Sequence, residues 1–83
     1  MENKVISKEV NHSLKILPEY FEDVKSGLKK FEIRRNDRHY KIGDILELRE
    51  FIEGKYTGNK CFVRVNYMTD YAQRENYVVL GIE

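Results

Sequence analysis

Polar and apolar residues alternate from His12 to Leu17, with Leu14 and Ile16 on one side and Ser13 and Lys15 on the other. That is the period of a strand with one buried face. Pro18 then occupies a position suited to the first turn of a helix, Glu19, Glu22 and Asp23 place negative charge near its N-terminus, and Gly27 supplies a left-handed stop. A short helix from Pro18 to about Ser26 follows, and Leu17, Phe21, Val24 and Leu28 fall on one apolar stripe directed at the core. From Lys30 to Arg35 the alternation returns, so that Phe31 and Ile33 face one way while Lys30, Glu32 and Arg34 face the other. A turn at Asn36, Asp37 and Arg38 and a second at Gly43-Asp44 lead into a third strand, Ile45 to Phe51. Gly54 and Gly58 bracket a hairpin loop, Cys61 to Thr69 forms a fourth strand with Val63, Val65 and Tyr67 on one side, Asp70 to Asn76 is a polar connection, and Tyr77 to Ile82 is the last strand.

Five strands this closely spaced leave no room for a doubly wound parallel sheet, because each parallel crossover takes roughly a dozen or more residues. The expected fold is therefore mainly β with one or two short helices, an antiparallel sheet curled into a small β-barrel whose helix covers one end. No repeat or Pro/Gly/Ser-rich linker divides the 83 residues, which read as a loose leader over residues 1–11 and one domain over 12–83.

Composition narrows the function classes. With 41% hydrophobic and 35% charged residues the chain is neither a disordered polymer nor a repeat, and no run of roughly 18 apolar residues exists to cross a bilayer. The N-terminal segment mixes acids and bases and lacks the apolar stretch of a secretory signal, and Cys61 has no partner for a disulfide, so a cytoplasmic location is expected. His12, His39 and Cys61 have no metal-ligand spacing, the five glycines form no phosphate loop, and Ser7, Ser13 and Ser26 sit in no nucleophile elbow. No metal and no cofactor is expected. The net charge is +1, but Lys29 to Lys41 carries six cations against Glu32 and Asp37, a local balance of +4 that leaves −3 elsewhere. Such a pole attracts anions, or it is a solvated face paired with nearby acids.

Within that pole Glu32 and Arg34 share one strand face, about 6–7 Å apart at Cα, close enough to interact. The arrangement is open to two readings: a surface ion pair on an edge strand contributing about 0–1 kcal/mol, or part of a ligand site.

The run Gly27-Leu28-Lys29-Lys30-Phe31-Glu32-Ile33-Arg34 resembles the GxKxxExR signature of ASCH domains, compact relatives of the PUA fold. His12 to Pro18 (HSLKILP), Tyr20-Phe21, Phe31 to Arg38 (FEIRRNDR), Gly43 to Leu46, Tyr56 to Gly58 and Tyr77 to Ile82 (YVVLGI) resemble, in order, a short ASCH-like family of bacteria and phages known mainly as a domain of unknown function. The resemblance implies a PUA-like barrel that binds RNA, a nucleotide or a nucleoside in a cleft floored by Lys29, Glu32 and Arg34, with His12, Asn36, Asp37 and Arg38 at the rim and Tyr40 as the stacking ring. One splayed nucleotide would find a cation for phosphate, a carboxylate for an exocyclic amine and an aromatic face. Near-neutral charge implies micromolar or weaker binding with a shallow salt dependence.

Two other classes stand beside this one. A small ASCH protein hydrolyses the amide of acetylated cytidine with a Lys, a Thr and a later carboxylate; Lys29 matches the Lys, Glu32 stands where the Thr would be, and Asp70 to Asn76 is too short for the helix that bears the acid. Lys29 and Glu32 would then have to act as oxyanion donor and general base on N4-acetylcytidine. A non-catalytic protein-interaction domain would instead expose an apolar patch, with Tyr67 or Tyr71 at an edge strand.

Overall fold

The computed structural model describes residues 9–83. Most of the leader, including Ser7, lies outside the described residues, whereas Asn11 is tied to the domain: its N–H donates to the Ile45 carbonyl (2.9 Å) and its side-chain oxygen accepts from the Ile45 N–H (2.8 Å). Five strands and one helix follow in the order β1 (His12–Ile16), α1 (Pro18–Lys25), β2 (Phe31–Arg35), β3 (Ile45–Ile52), β4 (Lys55–Thr69) and β5 (Tyr77–Ile82). The mainly β architecture with one short helix is as the alternation indicates.

The strands lie in the order β1-β3-β4-β5-β2. Three of the four pairings are antiparallel, but β1 and β3 run parallel, which corrects the expectation of a purely antiparallel sheet. The connection from Ile16 to Ile45 contains α1 and β2, ample for the crossover that parallel neighbours need. The first and last strands in the order, β1 and β2, are brought together by side chains: the Arg34 guanidinium of β2 donates to the Lys15 carbonyl (2.8 Å), and that of Arg38, in the turn after β2, to the Ser13 carbonyl (3.1 Å). The two free edges thus meet at a seam.

Inside lie Leu14 and Ile16 of β1, Leu46 and Leu48 of β3, Val65 of β4, Val78, Leu80 and Ile82 of β5, and Phe21 and Val24 of α1. The helix stripe is shorter than its sequence spacing implies. Leu17 is the N-cap and Leu28 follows the turn at Gly27 (φ +85°), so both leave the helical period and are exposed. The β3–β4 hairpin turns at Glu53 and Gly54, both left-handed as a two-residue type I′ turn demands. Gly58 (φ +98°) is therefore not part of the loop. It lies within β4, where Thr57, Gly58 and Asn59 stand opposite the single residue Glu50. A second irregularity between Val65 and Tyr67 shifts the β4–β5 register by one, so Met68 packs on the core while Tyr67 turns outward, against the simple alternation with Val63 and Val65.

Candidate functional site

The site grows from the end of α1. Ser26 and Gly27 N–H groups bond to the Glu22 and Val24 carbonyls (3.0 and 3.1 Å), and the Lys29 N–H returns to the Asp23 carbonyl at 2.9 Å. This hook fixes where Lys29 leaves the helix. The β2 register then decides which face is inner: Glu32 and Arg34 are paired with Leu80 and Val78, both in the core, whereas Phe31 and Ile33 face out with Gly81 and Val79. Glu32 is therefore no surface group. It is 4% exposed, a buried carboxylate on the sheet's edge strand.

Both of its oxygens are engaged. Lys29 Nζ donates to Oε2 at 2.9 Å, and Arg34 Nε donates to Oε1 at 3.1 Å. Lys29 also donates to the Phe31 carbonyl (2.8 Å) and lies over the rings of Phe31 (4.7 Å) and Tyr20 (5.2 Å). Arg34 holds Glu32 on one side and the β1 backbone on the other. Lysine, glutamate and arginine thus converge as one cluster, with one positive charge in excess. Glu32 and Arg34 open into a shallow hollow of about 250 Å³ at the seam, walled by Lys15, Leu17, Tyr20 and Ile33. Pockets that enclose a drug-sized ligand measure about 300–1,000 Å³, so this one suits a base or a similar fragment. Larger hollows lie elsewhere. One of about 420 Å³ is walled by Gly27, Lys29 and Lys30 together with Val63, Asn66 and Ile82; another of about 400 Å³ runs along Ile45, Phe62 and Arg64, away from the cluster.

The other sequence-derived candidates divide. Arg38 reaches the seam through Ser13. Tyr40 is 5% exposed and belongs to the core, with its ring edge-on to His12 at 4.8 Å, so it presents no free face to a base. Burial pushes its phenol above the ordinary range, and the charges of Arg34 and Arg38 oppose that shift. His12 Nε2 bonds Asp44 Oδ2 at 2.8 Å, and the same oxygen accepts the Lys41 N–H at 2.9 Å, so His12 fastens β1 to the Gly43 turn. Asn36 faces a different hollow, near Gln73 and Tyr77, with its N–H on the Asn76 carbonyl (2.7 Å). Asp37 is exposed in the turn that follows β2. Tyr20, 43% exposed and lining the seam hollow, is the ring that sequence reasoning passed over; its place three residues after the β1–α1 junction was the available signal.

Two further groups have shifted ionisation. Glu50, buried on β3, accepts from Asn59 Nδ2 (2.9 Å) and Thr57 Oγ1 (2.8 Å), and these bonds hold its carboxyl below the ordinary 4.5. Burial, assisted by the nearby Glu32 charge, pushes the Cys61 thiol up, which leaves it protonated and unsuited to nucleophilic attack at neutral pH. Among the described residues no three His, Cys, Asp or Glu side chains gather as metal ligands, and no helix is long and apolar enough to cross a membrane. Tyr67 and Tyr71 are exposed, but β4, which carries Tyr67, is the middle strand of the five.

Comparison with known proteins places this geometry in a family. A protein of Escherichia phage P2, described as an uncharacterized 12.9 kDa protein in the GpA 3' region, is 40% identical over 70 residues; the match covers 83% of this chain and 64% of the phage protein's length. Residues 11–82, from the Asn11 tie to the end of β5, match the domain of unknown function DUF3850, and the chain is therefore a member of that family.

Proposed function

We propose that this is an ASCH-like domain of the PUA-like superfamily that binds a nucleotide or a nucleotide unit of RNA in the seam hollow. The observation that carries the reading is the buried Glu32 carboxylate, which is held by two cations yet lines an open hollow instead of being sealed beneath the core. An ionised carboxylate has about four lone-pair directions, so Glu32 retains capacity to accept a base's exocyclic amine. Tyr20 and Leu17 supply the wall against which that base would lie, and Lys15, Arg34 and Arg35 line the same hollow as cations for phosphate. The seam itself favours the barrel analogy, since β1 and β2 are the two ends of the sheet and meet there through Arg34 and Arg38.

Binding is favoured over hydrolysis of an acylated nucleoside. A general base must reach the proton of an attacking water, and each Glu32 oxygen is already engaged by the N–H of a cation. Lys29 likewise spends its ammonium on the Glu32 carboxylate, the Phe31 carbonyl and two rings. The test is a titration with nucleoside monophosphates and N4-acetylcytidine followed by NMR. Shifts should centre on Tyr20 and the Arg34 guanidinium, disappear in Arg34→Gln and occur without turnover. Shifts confined to Val63 and Asn66 would move the site to the larger hollow beside Lys30. Product formation abolished by Glu32→Gln would replace the reading with catalysis.

A further inference from the structure

The register assembles a feature on the outer face of β1, β3 and β4 that no local stretch of sequence contains. Lys15 is paired with Arg49, and Arg49 with Lys60, so three cations occupy one cross-strand row. Like charges directly opposite one another destabilise a sheet. The row therefore opposes the fold, and its own surroundings relieve it only in part. Lys60 bonds Glu47 at 3.1 Å, and Glu47 is also held by Ser13 Oγ at 2.8 Å. Among the described residues Lys15 and Arg49 have no carboxylate within salt-bridge distance. Both lie instead over rings, Lys15 Nζ 4.5 Å from the centre of Phe51 and Arg49 3.8 Å from that of Tyr56. Phe51 and Tyr56 meet edge to face at 5.0 Å, and Phe62, beside Lys60, is 37% exposed.

We propose that this face is a track for single-stranded nucleic acid, with Lys15, Arg49 and Lys60 taking backbone phosphates and Tyr56 and Phe62 offering rings to the bases. Cations carried on strands about 5 Å apart, interleaved with aromatic faces, are the two elements from which sequence-tolerant single-strand sites are built. An acidic polypeptide would satisfy the cations, but a single strand of nucleic acid brings an anion and a flat base in every unit, which matches the interleaving of cations and rings and favours it. The track is also continuous with the seam. Lys15 lines the hollow that holds Glu32 and Arg34, and its carbonyl accepts from Arg34; at the far end Arg49, Tyr56, Asn59 and Lys60 line a second hollow of about 150 Å³. The inference rests on the nucleotide-binding reading only to extend its ligand from one unit to a chain, and the two fail separately.

The test uses a labelled ten-nucleotide oligo(U), with anisotropy read between about 50 and 200 mM salt, and UMP followed by NMR. Each single-strand phosphate contact contributes about 0.7 to the slope of log K against log salt. Arg49→Gln with Lys60→Gln should lower oligo(U) affinity about tenfold and flatten the slope by about 1.4, while UMP shifts at Tyr20 persist. Tyr56→Ala, which removes no charge, should weaken oligo(U) several-fold at unchanged slope, and native-like circular dichroism in each variant confirms folding. If the glutamine pair misfolds, Arg49→Gln alone carries the same comparison with a slope change of about 0.7. Unchanged affinity and slope overturn the track, as does an absence of wild-type oligo(U) binding at about 50 mM salt. Equal displacement by poly-glutamate with no effect of Tyr56→Ala also overturns it, assigning the row to acidic proteins. Loss of the UMP response alone, with the Arg49 dependence intact, removes the seam pocket and leaves the track.

Discussion

Replacing Glu32 by Gln tests how far the cluster holds the domain together. The side chain keeps its shape but loses its charge, and one of its two oxygens becomes an N–H₂ group facing a cation. Hydrogen bonds to charged groups contribute about 1.5–3 kcal/mol each; one of the two is lost, and the remaining cation is left beside an amide donor. Lys29 and Arg34 are 18% and 21% exposed, so they recover some hydration, and the net cost works out at about 2–3 kcal/mol. At roughly 4–8 °C per kcal/mol for a domain of this size, the Tm should fall by about 10–20 °C. Urea denaturation followed by circular dichroism supplies the free energy, and a thermal scan supplies the Tm. Removing all three charges with Lys29→Met, Glu32→Met and Arg34→Met should recover at least half of the loss, because no unpaired buried charge remains. A Tm within about 3 °C of wild type for Glu32→Gln would refute the reasoning, since it would mean that neither bond differs in strength from its hydration in the unfolded chain.

Other expectations follow from particular contacts. Asn59 and Thr57 hold the Glu50 carboxyl below its ordinary 4.5, as Ser13 and Lys60 do for Glu47, so their stabilisation is present above about pH 4.5 and is lost as the pH falls through the lowered values. Glu50→Gln should flatten the acid limb of stability against pH, and an acid limb parallel to wild type would contradict this. The Cys61 thiol, pushed up by burial, should react with iodoacetamide at pH 8 much more slowly in the native protein than in urea; equal rates would refute its burial. A Cβ on Gly81 would stand 3.1 Å from Tyr67 Cβ, while Asn66 Oδ1 at 2.8 Å is the end of an exposed side chain that can swing aside, so Gly81→Ala should cost about 1 kcal/mol by chemical denaturation, with no cost at all as the refuting result.

What the sequence discloses is local. Alternation in HSLKI and FEIRR, proline at the helix start and the left-handed glycine at position 27 each act over a few residues, and every one marks its element. Features set by how distant strands align were not legible. The parallel β1–β3 pair depends on the space filled by α1 and β2, and the outward turn of Tyr67 on a one-residue shift against β5. The same limit applies to the candidate site. The spacing of Lys29, Glu32 and Arg34 put them within reach of one another, but the depth of Glu32 came from its pairing with Leu80, and the core position of Tyr40 from its packing on His12. Lys15, Arg49 and Lys60 are far apart in the chain, so charge counted along the sequence placed the basic pole solely at Lys29 to Lys41.

Two guanidinium groups bridge the ends of the sheet, where ladders of amides join its neighbouring strands. Such a joint is compliant: opening it breaks two hydrogen bonds to carbonyls, and Arg34 can give up the Lys15 carbonyl while its Nε keeps Glu32. The two ends can thus part while the four strand pairings keep their ladders, and amide exchange in β1 and β2 should outpace that in β4 for this reason. An anion that drew Arg34 away from Lys15 would act where the two ends of the sheet are held together.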